Sequence, residues 1–251
     1  TMYEAVYGPW ALKQWGLPGD AIAAEQARRR AAVDRPWRLA ARAVGRRRRG
    51  AGDDTFLYPR RGFGQLSEAL ADAAVAAGAT VLTGCEVTRL HARTDGVRVE
   101  WDGGSLHATQ AFSTMPITTL GRVARPAPSV QAVQGAAGLF FRAMVLVYLV
   151  HEGGRWSPYD AHYLPDAPTP VTRVSEPTNY RTSADDPVDR SVVCAELPCR
   201  VGDSTWLADD DTLGQLVQDG LAAAGLPPIR RPAGAEVVVR RMPRFYPVYR
   251  Q

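Results

Sequence analysis

The clearest hydrophobic pattern in the chain lies between residues 64 and 78. Leu66, Leu70, Ala73 and Ala77 recur at helical spacing and share one face, and Gly78 stands where a helix C′ residue would. The pattern predicts a helix over 64–77, entered through a glycine-punctuated turn at 58–64. A short strand is expected next, at 79–82. Three more follow at 86–92, 97–101 and 106–112, joined by Asp95-Gly96 and Asp102-Gly103-Gly104 turns. Val97 and Val99 alternate with Arg98 and Glu100, as a half-exposed strand requires. The block ends on a loop at Met115-Pro116.

The flanks read differently. Residues 1–50 look helical: Asp20 is the expected N-cap of a helix over 21–32, Arg35-Pro36 interrupts it, and a second helix is expected over 37–44. The arginine run 46–49 and the glycine-rich residues after it read as a solvated loop. Beyond Pro116 the pattern predicts a helix over 117–123, a proline-rich link at 126–128, a helix over 129–137 and a long apolar strand over 139–150. Shorter strands are expected at 161–164, 171–174 and 191–197. Asp209, Asp210, Asp211 and Thr212 cap a helix running to 224, with acids where the helix dipole favours them. A last strand is expected at 236–240, followed by the aromatic segment 245–249. There are no internal repeats.

A chain of 251 residues, 45% hydrophobic and 22% charged, is long enough to bury a sizeable core. Its net charge of +4 is modest, and Lys13 is the only lysine, all other basic residues being arginine. That bias fits a G- and C-rich coding composition and weakens any nucleic-acid reading, so no nucleic-acid partner is expected. Cys85, Cys194 and Cys199 form neither a disulfide framework nor a zinc pattern, and no metal is expected. The apolar run 143–150 is too short to span a bilayer, and the first ten residues show no leader pattern. A reduced, cytoplasmic setting is the expectation. No nucleophile elbow with Ser-His-Asp order is present, which argues against a hydrolase. The four histidines have no paired acid in sequence to make any of them a general base.

Several residues invite two readings. Lys13 either faces a cofactor or anionic substrate or packs on Trp15 at the surface. Trp10, Trp15 and Trp37 either line a channel or fill a core. Arg60 and Arg61 either grip a carboxylate or are solvated turn residues. Tyr246 and Tyr249 either face a pocket or pack.

Four stretches carry a family resemblance. Leu12-Lys13-Gln14-Trp15-Gly16, with Tyr7 upstream, resembles a YT-x-K-x-WG segment. The 58–66 stretch YPRRGFGQL resembles a YP-x-GG turn entering a helix. Gly78-Ala79-x-Val81 through Val87-x-x-Leu90 resembles a GA-x-V…V-x-x-I run, and Ser113-Thr114-Met115-Pro116 an STMP loop. Together, with Phe141-Arg142 and the 246–249 segment, they make the chain similar to flavin-containing amine oxidases and protoporphyrinogen oxidases, a superfamily whose relatives include UDP-galactopyranose mutases.

The resemblance implies an α/β and α+β fold: a partial Rossmann-like FAD domain with an inserted substrate domain of mixed sheet plus helices. Residues 1–54 would be the helical part of the substrate domain, 55–122 the middle segment of the FAD domain, and 123–251 the substrate domain returning towards it. It implies FAD contacts at Val87 (adenine, through its backbone), at Thr114, Met115 and Pro116, and at Gly62 and Gly64. Lys13, Trp15, Tyr58, Arg60 and Tyr246 would meet a small-molecule substrate. The implied reaction removes hydride from a C–N or C–C bond. A UDP-sugar mutase-like isomerase and a non-catalytic remnant without flavin are the alternatives. Such families carry a strand–GxGxxG–helix phosphate loop, which these 251 residues lack. The chain is therefore expected to be a fragment or truncated relative that alone binds FAD weakly or not at all.

Overall fold

The fold was analysed in a computed structural model, which describes residues 1, 3–25, 57–165, 168–181 and 183–250. The expected helix over 37–44, Trp37, the arginine run 46–49 and most of the helix over 21–32 lie outside the described residues. The chain forms two compact units, one from residues 1–66 and 141–251, the other from residues 67–140. Its helices, one mixed sheet and one sheet built on antiparallel pairs make it an α/β protein.

The first unit opens with a π-turn at Tyr3–Tyr7 that runs into α1, Gly8–Trp15. Pro9 sits in the first turn of α1, where a missing N–H costs nothing. Gly16, at φ 66°, ends the helix with its N–H on the Leu12 carbonyl at 2.8 Å. Asp20 does not cap a helix: it lies inside a 3-10 turn, Gly19–Ala21, and Ile22 is extended in a bridge to Arg250. That long-range pairing overrides the local capping signal.

After the second unit the chain continues as β5, Phe140–Glu152, then β6, Ala161–Tyr163, β7, Arg173–Ser175, and β8, Arg190–Cys199. A short helix, α5 (Ser204–Leu207), precedes α6 (Asp210–Ala223) and β9 (Val238–Val248). The sheet order is β6-β7-β8-β5-β9, with β6–β7, β7–β8 and β8–β5 antiparallel. Alternation sorts its two faces. Val145, Val147 and Leu149 on β5 pair with Leu197, Ala195 and Val193 on β8, and all six are buried against Leu213, Val217 and Leu221 of α6. The opposite face carries Tyr148, Cys194, Glu196 and Arg173, paired across the same strands.

Two expectations change here. The last strand runs to Val248 rather than 240, passing Pro243 and Pro247, because β9 is an edge strand where proline is tolerated. The α5 turn was not foreseen; its N-cap Asp203 accepts the Trp206 N–H at 2.9 Å. Asp209 caps α6 as expected, on the Thr212 N–H at 2.7 Å.

The second unit contains most of α2, Gly64–Ala76, which ends as the sequence predicts. Gly78, at φ 93°, donates to Val75 O, and the Ala79 N–H reaches Ala74 O, a Schellman arrangement. The expected strand at 79–82 is absent: Val81 and Leu82 are about half exposed and belong to no ladder. The meander is present as β1 (Val87–Arg93), β2 (Gly96–Trp101) and β3 (Gly104–Ala108). β3 stops short of 112 because its partner runs out, Ala108 pairing with Val97 beside the turn. Next come α3 (Ile117–Val123), β4 (Ala124–Arg125) and α4 (Val130–Ala137), the last capped by the Ser129 hydroxyl. β4 adds a parallel pair to β1, giving the order β3-β2-β1-β4. No residue of 67–140 is buried, and the predicted apolar face of α2 is open, Leu70 being 72% exposed.

Among the described residues, no helix is long and apolar enough to cross a membrane. Nor does any group of three or more His, Cys, Asp or Glu side chains there suit a metal ion.

Candidate substrate pocket

A pocket of about 660 Å³ lies within the first unit. Six aromatic residues line it: Tyr3, Tyr7, Trp10, Trp15, Tyr163 and Tyr246. They come from distant parts of the chain because α1 docks on the sheet. Two contacts fix that docking. The Lys13 ammonium donates to the carbonyls of Leu164 at 2.6 Å and Val171 at 3.2 Å. The Arg142 guanidinium on β5 donates to Pro198 O at 3.0 Å and to Lys13 O at 3.4 Å, placing a cation at the C-terminus of α1. Gly16 is needed there twice over: its φ is positive, and a Cβ would stand 3.3 Å from that guanidinium.

Arg173 and Glu196 supply the charges of the lining. Both Nε and Nη2 of Arg173 donate to Glu196 Oε1, the Nε bond at 3.0 Å. Burial disfavours the Arg173 charge, but Glu196 and Tyr163 beside it more than compensate and hold its pKa above the ordinary value. Next along the same sheet face, the Tyr148 hydroxyl is pushed up to about 12 and the Cys194 thiol to about 11. Burial is the main cause, with the two groups hydrogen-bonded to each other. Both stay neutral at physiological pH.

Trp15 and Tyr246, both named from sequence, meet in this pocket with ring centroids 5.4 Å apart. Lys13 belongs to the same helix but points its ammonium at backbone carbonyls. Tyr58 stacks edge-on against Tyr180 at 5.1 Å, and Tyr180 in turn bonds the Ser175 side chain on β7. Arg60 is exposed in the turn. Gly62, at φ 89°, meets only the Arg181 guanidinium, 3.6 Å from where a Cβ would be, and a Cβ on Gly64 would meet nothing within 4 Å. The backbone of this turn is open to close approach. In the second unit, Val87 begins β1 half-buried beside an irregularity in the β1–β2 register. Thr114 and Pro116 are exposed, Met115 is half-buried, and the Met115 N–H bonds the Ser113 hydroxyl at 3.4 Å. Sequence reasoning missed Tyr163, Arg173 and Glu196, which carry no local motif; the pairing of β7 with β6 on one side and β8 on the other makes them neighbours.

Residues 31–241 match the sequence profile of the family described as flavin containing amine oxidoreductase. Among solved structures, a reduced UDP-galactopyranose mutase superposes with a TM-score of 0.71 at 17% identity, over 98% of this chain and 53% of that one. A putative protoporphyrinogen oxidase from Exiguobacterium sp. 255-15 gives 0.59 at 18%, over 86% and 47%. A putrescine oxidase bound to putrescine gives 0.57 at 18%, over 76% and 42%. At such identities the likeness is one of fold. The chain spans about half the length of the structures it matches. No curated protein sequence matches it.

Proposed function

The chain belongs to the flavin containing amine oxidoreductase family, and from that premise we propose that it forms part of an FAD-dependent oxidoreductase that removes hydride from a C–N or C–C bond of a small organic molecule. The observation that carries this reading is the aromatic pocket built on α1 and the second face of the five-stranded sheet. Trp15 and Tyr246 grip the substrate's flat part, and the Arg173–Glu196 pair orients its polar end.

When bound, the flavin supplies the redox chemistry, and the protein supplies binding and orientation. The residues proposed to hold it are Val87 through its backbone, Thr114, Met115 and Pro116 in their exposed loop, and Gly62 and Gly64 in the open turn. None of these is a phosphate cradle, and no GxGxxG occurs in the chain. FAD is therefore proposed to bind this chain alone weakly.

Titrating FAD into the purified chain tests the proposal. A saturable shift of the flavin spectrum, lost on dialysis, is expected. No shift at all favours the remnant without flavin, and stoichiometric retention through purification overturns the weak binding. Stabilisation against heat by a UDP-sugar would instead mark a mutase.

A further inference from the structure

We infer that the aromatic pocket takes a ligand bearing a carboxamide, and that Gln14 is the side chain that recognises it. This rests on the reading of the pocket as the substrate site, to which it adds a chemical class.

Tyr7, Trp10, Ala11 and Gln14 follow the i, i+3, i+4, i+7 spacing of one helical face, and all four line the pocket. The face is aromatic and apolar until Gln14, which is only 3% exposed. Among the described residues, no hydrogen bond reaches the Gln14 side-chain amide. Its two amide atoms are also absent from the fully enclosed, unpartnered polar atoms, among which the Trp10 indole nitrogen is found. The amide therefore keeps surface for a ligand to meet, at a residue otherwise in the interior.

A buried amide without partners is costly, and native structures leave few of them. Its chemistry specifies what relieves it. The oxygen accepts and the nitrogen donates, so the complementary group carries a donor and an acceptor side by side. A carboxamide does, and meets both amide atoms with two antiparallel bonds. A ketone or ester brings an acceptor alone and leaves the glutamine oxygen unpaired. Turning the Gln14 amide over exchanges its two ends without changing the complementary group. A second open acceptor lies in the same lining. Arg173 donates only to Glu196 Oε1, so Oε2 also favours a ligand that brings N–H groups. Trp10 and the Trp15–Tyr246 pair supply rings for a flat body to pack on.

The test compares two probes of one shape, naphthamide and acetylnaphthalene, which differ by NH2 against CH3, in ligand-observed NMR titrations of the purified chain. Naphthamide is expected to bind saturably and at least ~10-fold tighter than the ketone, the worth of one or two buried hydrogen bonds. Equal affinities overturn the inference, as does an absence of saturable naphthamide binding. Gln14→Met keeps the length of the side chain and removes both polar ends, so the two probes should then bind alike. A retained preference for naphthamide in that variant assigns the recognition elsewhere and overturns the role of Gln14. Without ligand, Gln14→Met should melt no lower than the parent protein, because it removes an unpaired amide from the interior. A lower melting temperature marks the amide as structural and counts against a ligand-reading role. The flavin titration is a separate readout. Gln14-dependent carboxamide binding without a flavin shift favours the remnant and leaves this inference standing, whereas a flavin shift with equal probe affinities defeats only this inference.

Discussion

Trp15 meets Tyr246 edge to face, with ring centroids 5.4 Å apart and planes inclined at 61°. The pair joins the end of α1 to the last strand across most of the chain's length. Trp15 is 4% exposed, so it is both a pocket wall and a piece of core. Trp15→Ala should cost about 3–5 kcal/mol in urea unfolding, as large aromatic truncations do. Trp15→Phe keeps an edge for Tyr246 and should cost clearly less. Equal losses would mean that the ring contact is incidental.

Glu176 is 1% exposed and holds a bend together, accepting the N–H groups of Trp156 at 2.7 Å and Ser157 at 2.9 Å. Glu176→Ala leaves two buried donors without an acceptor, for an expected loss of about 2–5 kcal/mol in the unfolding midpoint analysis. Glu176→Gln retains one acceptor oxygen and should recover part of it.

Two helix glycines should respond in opposite directions to alanine. A Cβ on Gly214 of α6 would stand 2.8 Å from Val237 Cγ2, so Gly214→Ala should destabilise by about 1–3 kcal/mol despite the better helix propensity. A Cβ on Gly135 of α4 would meet nothing within 4 Å, so Gly135→Ala should stabilise its unit by about 0.5–1 kcal/mol. Matched thermal melts decide both.

These outcomes also show what the sequence makes readable. Caps and turns were legible because they are local: Asp209 and Gly78 each act within a few residues of themselves. The pocket was half legible. Trp15 and Tyr246 stand out as aromatic residues in recognisable segments, whereas Arg173 and Glu196 become partners only through the β7–β8 register. The two-residue β4 was illegible for the same reason, being defined by its parallel partner β1. The helix α2 was legible, but Leu66, Leu70, Ala73 and Ala77 of its expected apolar face are exposed and Gln65, Ala71 and Ala74 are half-buried instead, because periodicity cannot say what lies against a face.

The Asp209 carboxylate sits below its ordinary pKa, chiefly through its bond to the Thr212 backbone N–H at the start of α6. A depressed folded pKa contributes stability that is fully present above the unfolded value and lost as pH falls through the folded one. Melting temperature should therefore decline from about pH 4 downwards partly on this account. Asp209→Asn keeps a capping oxygen but removes the titration, so its acid decline should be shallower. An identical slope would discount the carboxylate.

The three cysteines should separate cleanly by reactivity. Cys85 is exposed, while burial pushes the Cys194 and Cys199 thiols up to about 11. A thiol reagent at neutral pH should label Cys85 rapidly and the other two only after denaturation. Fast labelling at Cys194 in the native protein would contradict the packed sheet.

The first unit is assembled from two stretches of chain, 1–66 and 141–251, and that has a consequence for biosynthesis. On the ribosome, α1 emerges before its anchors and must wait for them, since Lys13 bonds Leu164 and Arg142 bonds Pro198. The meander β1–β2–β3 pairs only near neighbours and can form while the rest is still being made. The meander can thus pair before the first unit is complete, and the pocket takes shape only after β9 has left the exit tunnel.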